Sequence, residues 1–223
     1  MGFLDALTAG FMAPAGLVLV LGRIFRIAGG RLSYLMLLGG AGCVLVAIAA
    51  EFLAEPGAGL IGRHWRDQKI ALLIDALIVA TIEELLKVGI MYRLLTKADG
   101  MSWRRFAILS AWTGVGFAAA ENWTYVARYG GDVMILRSFT ASWVHVLNAI
   151  VAARLLWLGA QEGARDMTIA AFCLSIVLHA AYNYLVSIYQ IAGWTFLVAL
   201  ITIAGFAGAA MSRRDEPRLK PTI

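Results

Sequence analysis

Two adjacent carboxylates and an ammonium, Glu83-Glu84-Leu85-Leu86-Lys87, interrupt a stretch from Ile70 to Leu95 made almost entirely of Ala, Leu, Ile and Val. On membrane-insertion scales an ionisable group at such depth costs about 2.5–3.5 kcal/mol, so it marks a site by default. Glu83 and Lys87, four apart, share a helical face and partly neutralise each other. Glu84 is rotated by about 100° and can face another partner. A structural ion pair tying helices together is the plain alternative. Three later apolar segments argue for more: Phe117-Ala-Ala-Ala-Glu121-Asn122, then His145 with Asn148, then His179 with Asn183. Spacings of three and four put the members of each His/Asn pair on one face. Four helices, each presenting a polar stripe, are how a bundle builds an interior site.

The residue types suit hydrolysis. Carboxylates and imidazoles are ligands of hydrolytic zinc sites, where three protein donors leave a position for water. They are also the usual general acids and bases, and Asn is an oxyanion donor. No Ser or Cys stands in a nucleophile context, and no soluble-type zincin helix motif occurs. Taken singly each piece has a bland reading. A lone membrane His is more often structural, and Glu121-Asn122 or Asn183 can serve as interhelical glue. Gly114 and Gly116 fit close helix packing better than catalysis. The joint occurrence carries the case.

The elements that must position these groups follow from composition. Of 223 residues 61% are hydrophobic and 15% charged, with a mean hydropathy of +0.78. A soluble domain of this size cannot bury so much apolar surface, so an all-α, polytopic transmembrane bundle is expected. Seven apolar segments can be drawn, near 11–28, 32–54, 70–96, 104–127, 139–160, 167–189 and 191–211. Together they make one domain over residues 1–211, with a catalytic core near 70–189 and a polar tail over 212–223. A Gly- and Pro-punctuated loop with a solvated or interfacial His64 is expected from Glu55 to Gln68, and a tight turn near Tyr189–Trp194. The Met1–Asp5 start lacks a basic n-region, so no cleaved signal peptide is expected. Cys43 and Cys173 lie in apolar segments and read as packing residues. The net charge of +5 is spread over short loops, without the basic stripe of a nucleic-acid binder.

With seven crossings, 13 of the 19 Lys and Arg fall on one side and five on the other, Lys87 being inside the bundle. Among the 13 is Arg154, expected to snorkel to the cytoplasmic interface; among the five are Arg128 and Arg137. The bias puts the C-terminus in the cytoplasm and the N-terminus outside. It also puts the polar groups in the outer half of the bilayer.

Glu83-Glu84-Leu-Leu-Lys87 resembles the EExxK motif of the PrsW intramembrane proteases, and Phe117-Ala-Ala-Ala-Glu121 their FxxxE motif. His145 and His179-Ala-Ala-Tyr-Asn183 resemble their two histidine motifs. The related CAAX prenyl endopeptidases carry EExxxR and FxxxH, so Lys87 and Glu121 favour the PrsW branch. Both families resemble the scaffold subunit of γ-secretase in fold. The resemblance implies a helical-bundle metalloprotease of a bacterial cytoplasmic membrane. Its substrate would be a membrane protein or membrane-anchored peptide, an anti-sigma factor in the best-known member.

On that basis Glu121, His145 and His179 are expected to ligate a divalent metal, zinc by its donor set, with Glu83 or Glu84 as general base. Lys87 would hold the carboxylate pair, and Asn183 would donate to the oxyanion or support a ligand. Asn122 and Asn148 would line the site. Either glutamate of the pair can ligate instead, and a metal-free Glu–His pair can also activate water. The rivals are a proton- or ion-coupled transporter or channel, and an inactive scaffold of the same fold. A transporter should show repeat symmetry and Pro-broken helices, yet no proline lies between Pro56 and Pro217. The charge bias makes topology the first thing to test. A reporter fused after Lys220 is expected to read cytoplasmic and one between Gly57 and Arg66 external; both on one side would overturn the segment count.

Overall fold

The computed structural model describes residues 30–64, 68–97, 100–130, 137 and 140–188, together with eight residues between Met12 and Arg23. Five long helices run in order: α1 Arg31–His64, α2 Gln68–Lys97, α3 Trp103–Tyr129, α4 Ala141–Glu162 and α5 Arg165–Ile188. Among the described residues there is no strand. These five helices correspond to the second to sixth expected segments, and all but the end of α1 fall within two residues of the expected bounds. The residues described between Met12 and Arg23 are helical, and Ala15 and Val18 pack against α3 and α4. The seventh segment, the turn before it and the polar tail lie outside the described residues.

One expectation fails. The second segment continues as helix through Pro56 to His64, where a loop was expected from Glu55. Gly and Pro are weak local signals at the end of a long apolar helix, where the backbone hydrogen bonds have no better partner. By length and composition, Arg31–Leu53, Ala141–Glu162 and Arg165–Ile188 are able to cross a membrane. At about 1.5 Å per residue, α2 and α3 are also long enough for a core of about 30 Å, though polar groups interrupt them.

The burial pattern orders the helices. α3 is buried nearly all round from Phe106 to Ala118, and α4 from Ala141 to Ala153. Each of α2 and α5 buries a single stripe: Ala76, Ala80, Glu83, Glu84, Lys87 and Met91 on one, Ala171, Ser175, His179 and Tyr182 on the other. Their opposite faces expose large apolar side chains such as Leu85 and Val177, as do Leu45 and Leu53 of α1. That surface suits lipid. α1 packs on α3, α3 on α4, α4 on α5 and α5 on α2, with α2 also meeting α1 and α4. The ring therefore closes around the polar stripes.

Local chemistry sets the helix ends. Ser102 caps α3 by accepting from the Arg105 amide, satisfying one of the first-turn donors. Gly163, at φ 67°, ends α4 in the left-handed conformation that glycine tolerates. Below the polar region a cluster of Met36, Val88, Met91, Phe106, Leu109 and Leu156 fills the bundle. Beside it Arg154 is buried, its guanidinium carbon 5.0 and 5.3 Å from the ring centres of Trp103 and Trp157. Cys43 packs with Val44 and Phe117, and neither it nor Cys173 forms a disulfide.

Glycines fix how closely the central helices approach. A methyl group built on Gly116 would lie 1.9 Å from the Leu37 carbonyl oxygen, and one on Gly40 2.1 Å from that of Thr113. On Gly114 it would meet the His145 carbonyl oxygen at 2.7 Å. Backbone contact leaves no side chain to yield, so these positions require glycine for packing. Gly116→Ala is expected to destabilise the folded protein by about 1–3 kcal/mol through overpacking, measured as a lower unfolding midpoint in detergent. Gly42→Ala, where a methyl group meets nothing within 4 Å, is the control and should leave the midpoint unchanged.

Candidate active site

The four polar stripes meet at one place. Glu83, Glu84, Lys87, His145 and His179 are all at most 5% accessible. Lys87 Nζ lies 2.5 Å from Glu84 Oε1, 3.0 Å from His145 Nδ1 and 4.0 Å from Glu83 Oε2. The Phe117 ring centre is 4.2 Å from it, a cation–π distance. An ammonium only donates. His145 Nδ1 therefore accepts, and the proton of this imidazole sits on Nε2, which donates to Glu121 Oε2 at 2.8 Å.

His179 has the opposite tautomer. Its Nδ1–H donates to Glu84 Oε1 at 2.7 Å, leaving the Nε2 lone pair 3.6 Å from Glu83 Oε2. That separation is too long for a hydrogen bond. It is close to what two donors on one tetrahedral zinc adopt, about 3.3–3.6 Å apart for bonds of 2.0–2.2 Å. Glu83 Oε2 is buried without a hydrogen-bond partner among the described residues. One donor atom each from Glu83, His145 and His179 lies within 4.8 Å of the others. The donor set and the orphaned carboxylate oxygen thus fit a divalent cation. Three carboxylates against the two cations Lys87 and Arg137 make the same point in charge.

Glu121 reaches this cluster through His145. Its Oε2 also accepts from Arg137 NH2 at 2.6 Å. Arg137 Nε donates to Asn122 Oδ1 at 2.9 Å, and Asn122 Nδ2 donates to Ser142 Oγ at 2.8 Å. The guanidinium stacks on Tyr125, 3.5 Å from its ring centre. Arg137, counted from sequence only as a topology signal, is therefore the residue that sequence reasoning missed. Ser142 and Ser175 were legible in principle. They precede His145 and His179 by three and four residues, and both are buried. Asn148 turns away from the network, donating to the Ser175 carbonyl oxygen across the α4–α5 interface at 3.0 Å. Asn183 lines a cavity of about 430 Å³ together with Glu83 and Glu121. His145 and His179 themselves pack edge to face, 5.0 Å between ring centres.

The assembly can bind a cation, hold two imidazoles in opposite tautomers and present carboxylates to a cavity. Comparison with curated proteins gave no match, and neither did comparison with solved structures. A family profile matches residues 30–209, which span all five helices and every residue of this cluster. The chain accordingly belongs to the PrsW family of intramembrane metalloproteases.

Proposed function

We propose that this protein is an intramembrane endopeptidase that hydrolyses a peptide bond of a membrane protein or membrane-anchored peptide. The observation that carries the reading is the buried approach of Glu83, His145 and His179 donors within 4.8 Å, in a chain of this family. These three are the residues that would hold a divalent cation, His145 by giving up either the Lys87 hydrogen bond at Nδ1 or the proton it shares with Glu121 at Nε2, and zinc suits their oxygen and nitrogen donors. When bound, such an ion lowers the pKa of water and polarises a carbonyl.

The chain's own groups then have distinct tasks. Glu84 accepts the Nδ1 proton of His179 and so fixes which nitrogen faces Glu83, the carboxylate–histidine arrangement that orients metal ligands. Lys87 compensates Glu84 and keeps a lone pair on His145 Nδ1 as acceptor. Glu121, partly accessible on the cavity wall, is the carboxylate we assign to take a proton from water. The roles of Glu83 and Glu121 are thereby exchanged relative to the sequence expectation. Arg137 is a positioning residue for Glu121. Asn183, on the same wall, is the oxyanion donor. The membrane is read as a bacterial cytoplasmic membrane with the site in its outer half, and an anti-sigma factor is the substrate class suggested by the family resemblance.

Cleavage of a membrane-anchored reporter tests the assignments. Glu83→Gln and Glu84→Gln are expected to insert and fold, with at least one abolishing cleavage; full activity in both would sink the protease reading. Glu83→Gln should also lower the metal content measured by elemental analysis. Glu121→Gln should retain the metal and lose about 10²–10⁴-fold in rate, the usual worth of a general base. Arg137→Gln should cost more in kcat than in KM, and Arg137→Lys should recover part of the loss, because it restores a cation beside Glu121. Metal-free wild-type protein with undiminished cleavage would instead favour the Glu121–His145 pair as the water-activating unit.

A further inference from the structure

The cavity that exposes Glu83 and Glu121 has a wall that the chemistry above does not use. Glu51 of α1 and Asp75 of α2 line it as well, so four carboxylates face one guanidinium, that of Arg128. Glu121 is held by Arg137, and Glu83 approaches Lys87. Glu51 and Asp75 form no ion pair among the described residues, and Arg128 is the cation that shares their wall. Glu51 Oε1 is buried with no hydrogen-bond partner there, and the same holds for Glu83 Oε2. The Glu83 oxygen is the one assigned above to the divalent cation, which leaves Glu51 Oε1 as the unmatched acceptor of this wall among the described residues.

A second cavity of about 310 Å³ adjoins the first, sharing Asp75, Val79, Tyr125 and Asn183 with it. Together they form a groove along one stripe of α2, which Leu72, Asp75, Val79 and Glu83 define at helical spacing. Asp75 lies eight residues before Glu83, about 12 Å along the helix axis. An extended chain covers that distance in three to four residues, at about 3.3 Å each. Ionised groups in a membrane bundle are costly unless paired, and a cleft lined by one sign of charge concentrates the other.

We propose that Glu51 and Asp75 form a subsite for a basic side chain, Lys or Arg, about three to four residues from the scissile bond of the substrate. The inference rests on the protease reading and adds the substrate class to it. The side-chain cation would complete the charge pairing of the cavity wall, and the groove would hold the flanking extended segment against α2.

The probes are dye-labelled Leu/Ala peptides of about 20 residues with a single Lys, Leu or Glu about four positions from the centre. Binding to the full-length protein in detergent is read by fluorescence anisotropy, and cleavage of the same peptides by mass spectrometry. The Lys peptide is expected to bind at least about tenfold tighter than the Leu peptide, and the Glu peptide weakest. Glu51→Gln with Asp75→Asn should remove the Lys preference and leave Leu-peptide binding unchanged. Equal binding of the three peptides by the wild-type protein overturns the subsite, whatever the variants do. If the double variant does not fold, each single substitution should reduce the preference, and a preference unchanged in both overturns it. Cleavage without residue preference overturns the subsite and leaves the protease standing. Lys-selective binding with no cleavage of any peptide supports the subsite and counts against the protease.

Discussion

The buried ammonium of Lys87 is the constraint on which the rest of the bundle depends. A cation 1% accessible in the middle of an apolar helix is tolerable only with close counter-charges and good geometry. Glu84 supplies the charge one turn away, but three other helices complete the site. α3 brings the Phe117 face, α4 brings His145 Nδ1, and α5 brings His179 to the far side of Glu84. Sliding any of these helices by one turn, about 5.4 Å, would leave a buried charge or a buried imidazole unpaired. The network therefore acts as a register device first. The approach of the Glu83, His145 and His179 donors is what that register produces.

Small residues let the register be reached. His145 comes close to α3 because Gly114 leaves room for its carbonyl, and α3 approaches α1 because Gly40 and Gly116 leave room for backbone. Without aqueous solvent to drive apolar surfaces together, helix association in a membrane relies on this close packing and on interhelical hydrogen bonds. The bonds are present where the packing is tightest. Asn122 reaches Ser142 between α3 and α4, and Asn148 reaches the α5 backbone. Both asparagines thus brace the helices whose faces carry the site, which is why neither points at the Glu83–His145–His179 donors.

Much of this was legible before any coordinates. Helix spans came from apolar length, because a bilayer imposes about 20 residues on every crossing. The site residues came from polar groups at three- and four-residue spacing, because such spacing fixes a face. What spacing cannot fix is which neighbour that face meets. Glu83 and Glu121 both had to face inward, yet their distance to each imidazole depends on helix rotations and interhelical contacts set by Gly114 and Gly116. Arg137 stands outside any apolar segment, so sequence periodicity carried no signal for its reach to Glu121 and Asn122. Asp75 stands alone near the start of a long apolar run, so no spacing in the sequence points to the cavities it lines. The helix through Pro56 was missed because turn chemistry was weighed above the continuity of α1.

A hydrolytic site inside a bilayer must also be wetted, since water is a reactant. The described structure grades accessibility in the required direction. Glu84, His145 and His179 are about 2% accessible, Glu83 is 5%, and the Glu121 side chain is 14%. Beyond Glu121 the cavity wall continues through Thr124, Tyr125 and Arg128, a turn-by-turn polar path along α3 toward its Gly130 end. Polarity along that path supports hydration in a way that an apolar cavity does not. The same path ends beside Glu51 and Asp75, so water and a charged substrate residue would share one opening. Lys87, on the other side of the carboxylates, is sealed beneath Phe117 and the apolar cluster around Met91. The charged centre is thereby more accessible at Glu121 than at Lys87, and under the proposed hydrolysis a proton from water would leave on the Glu121 side.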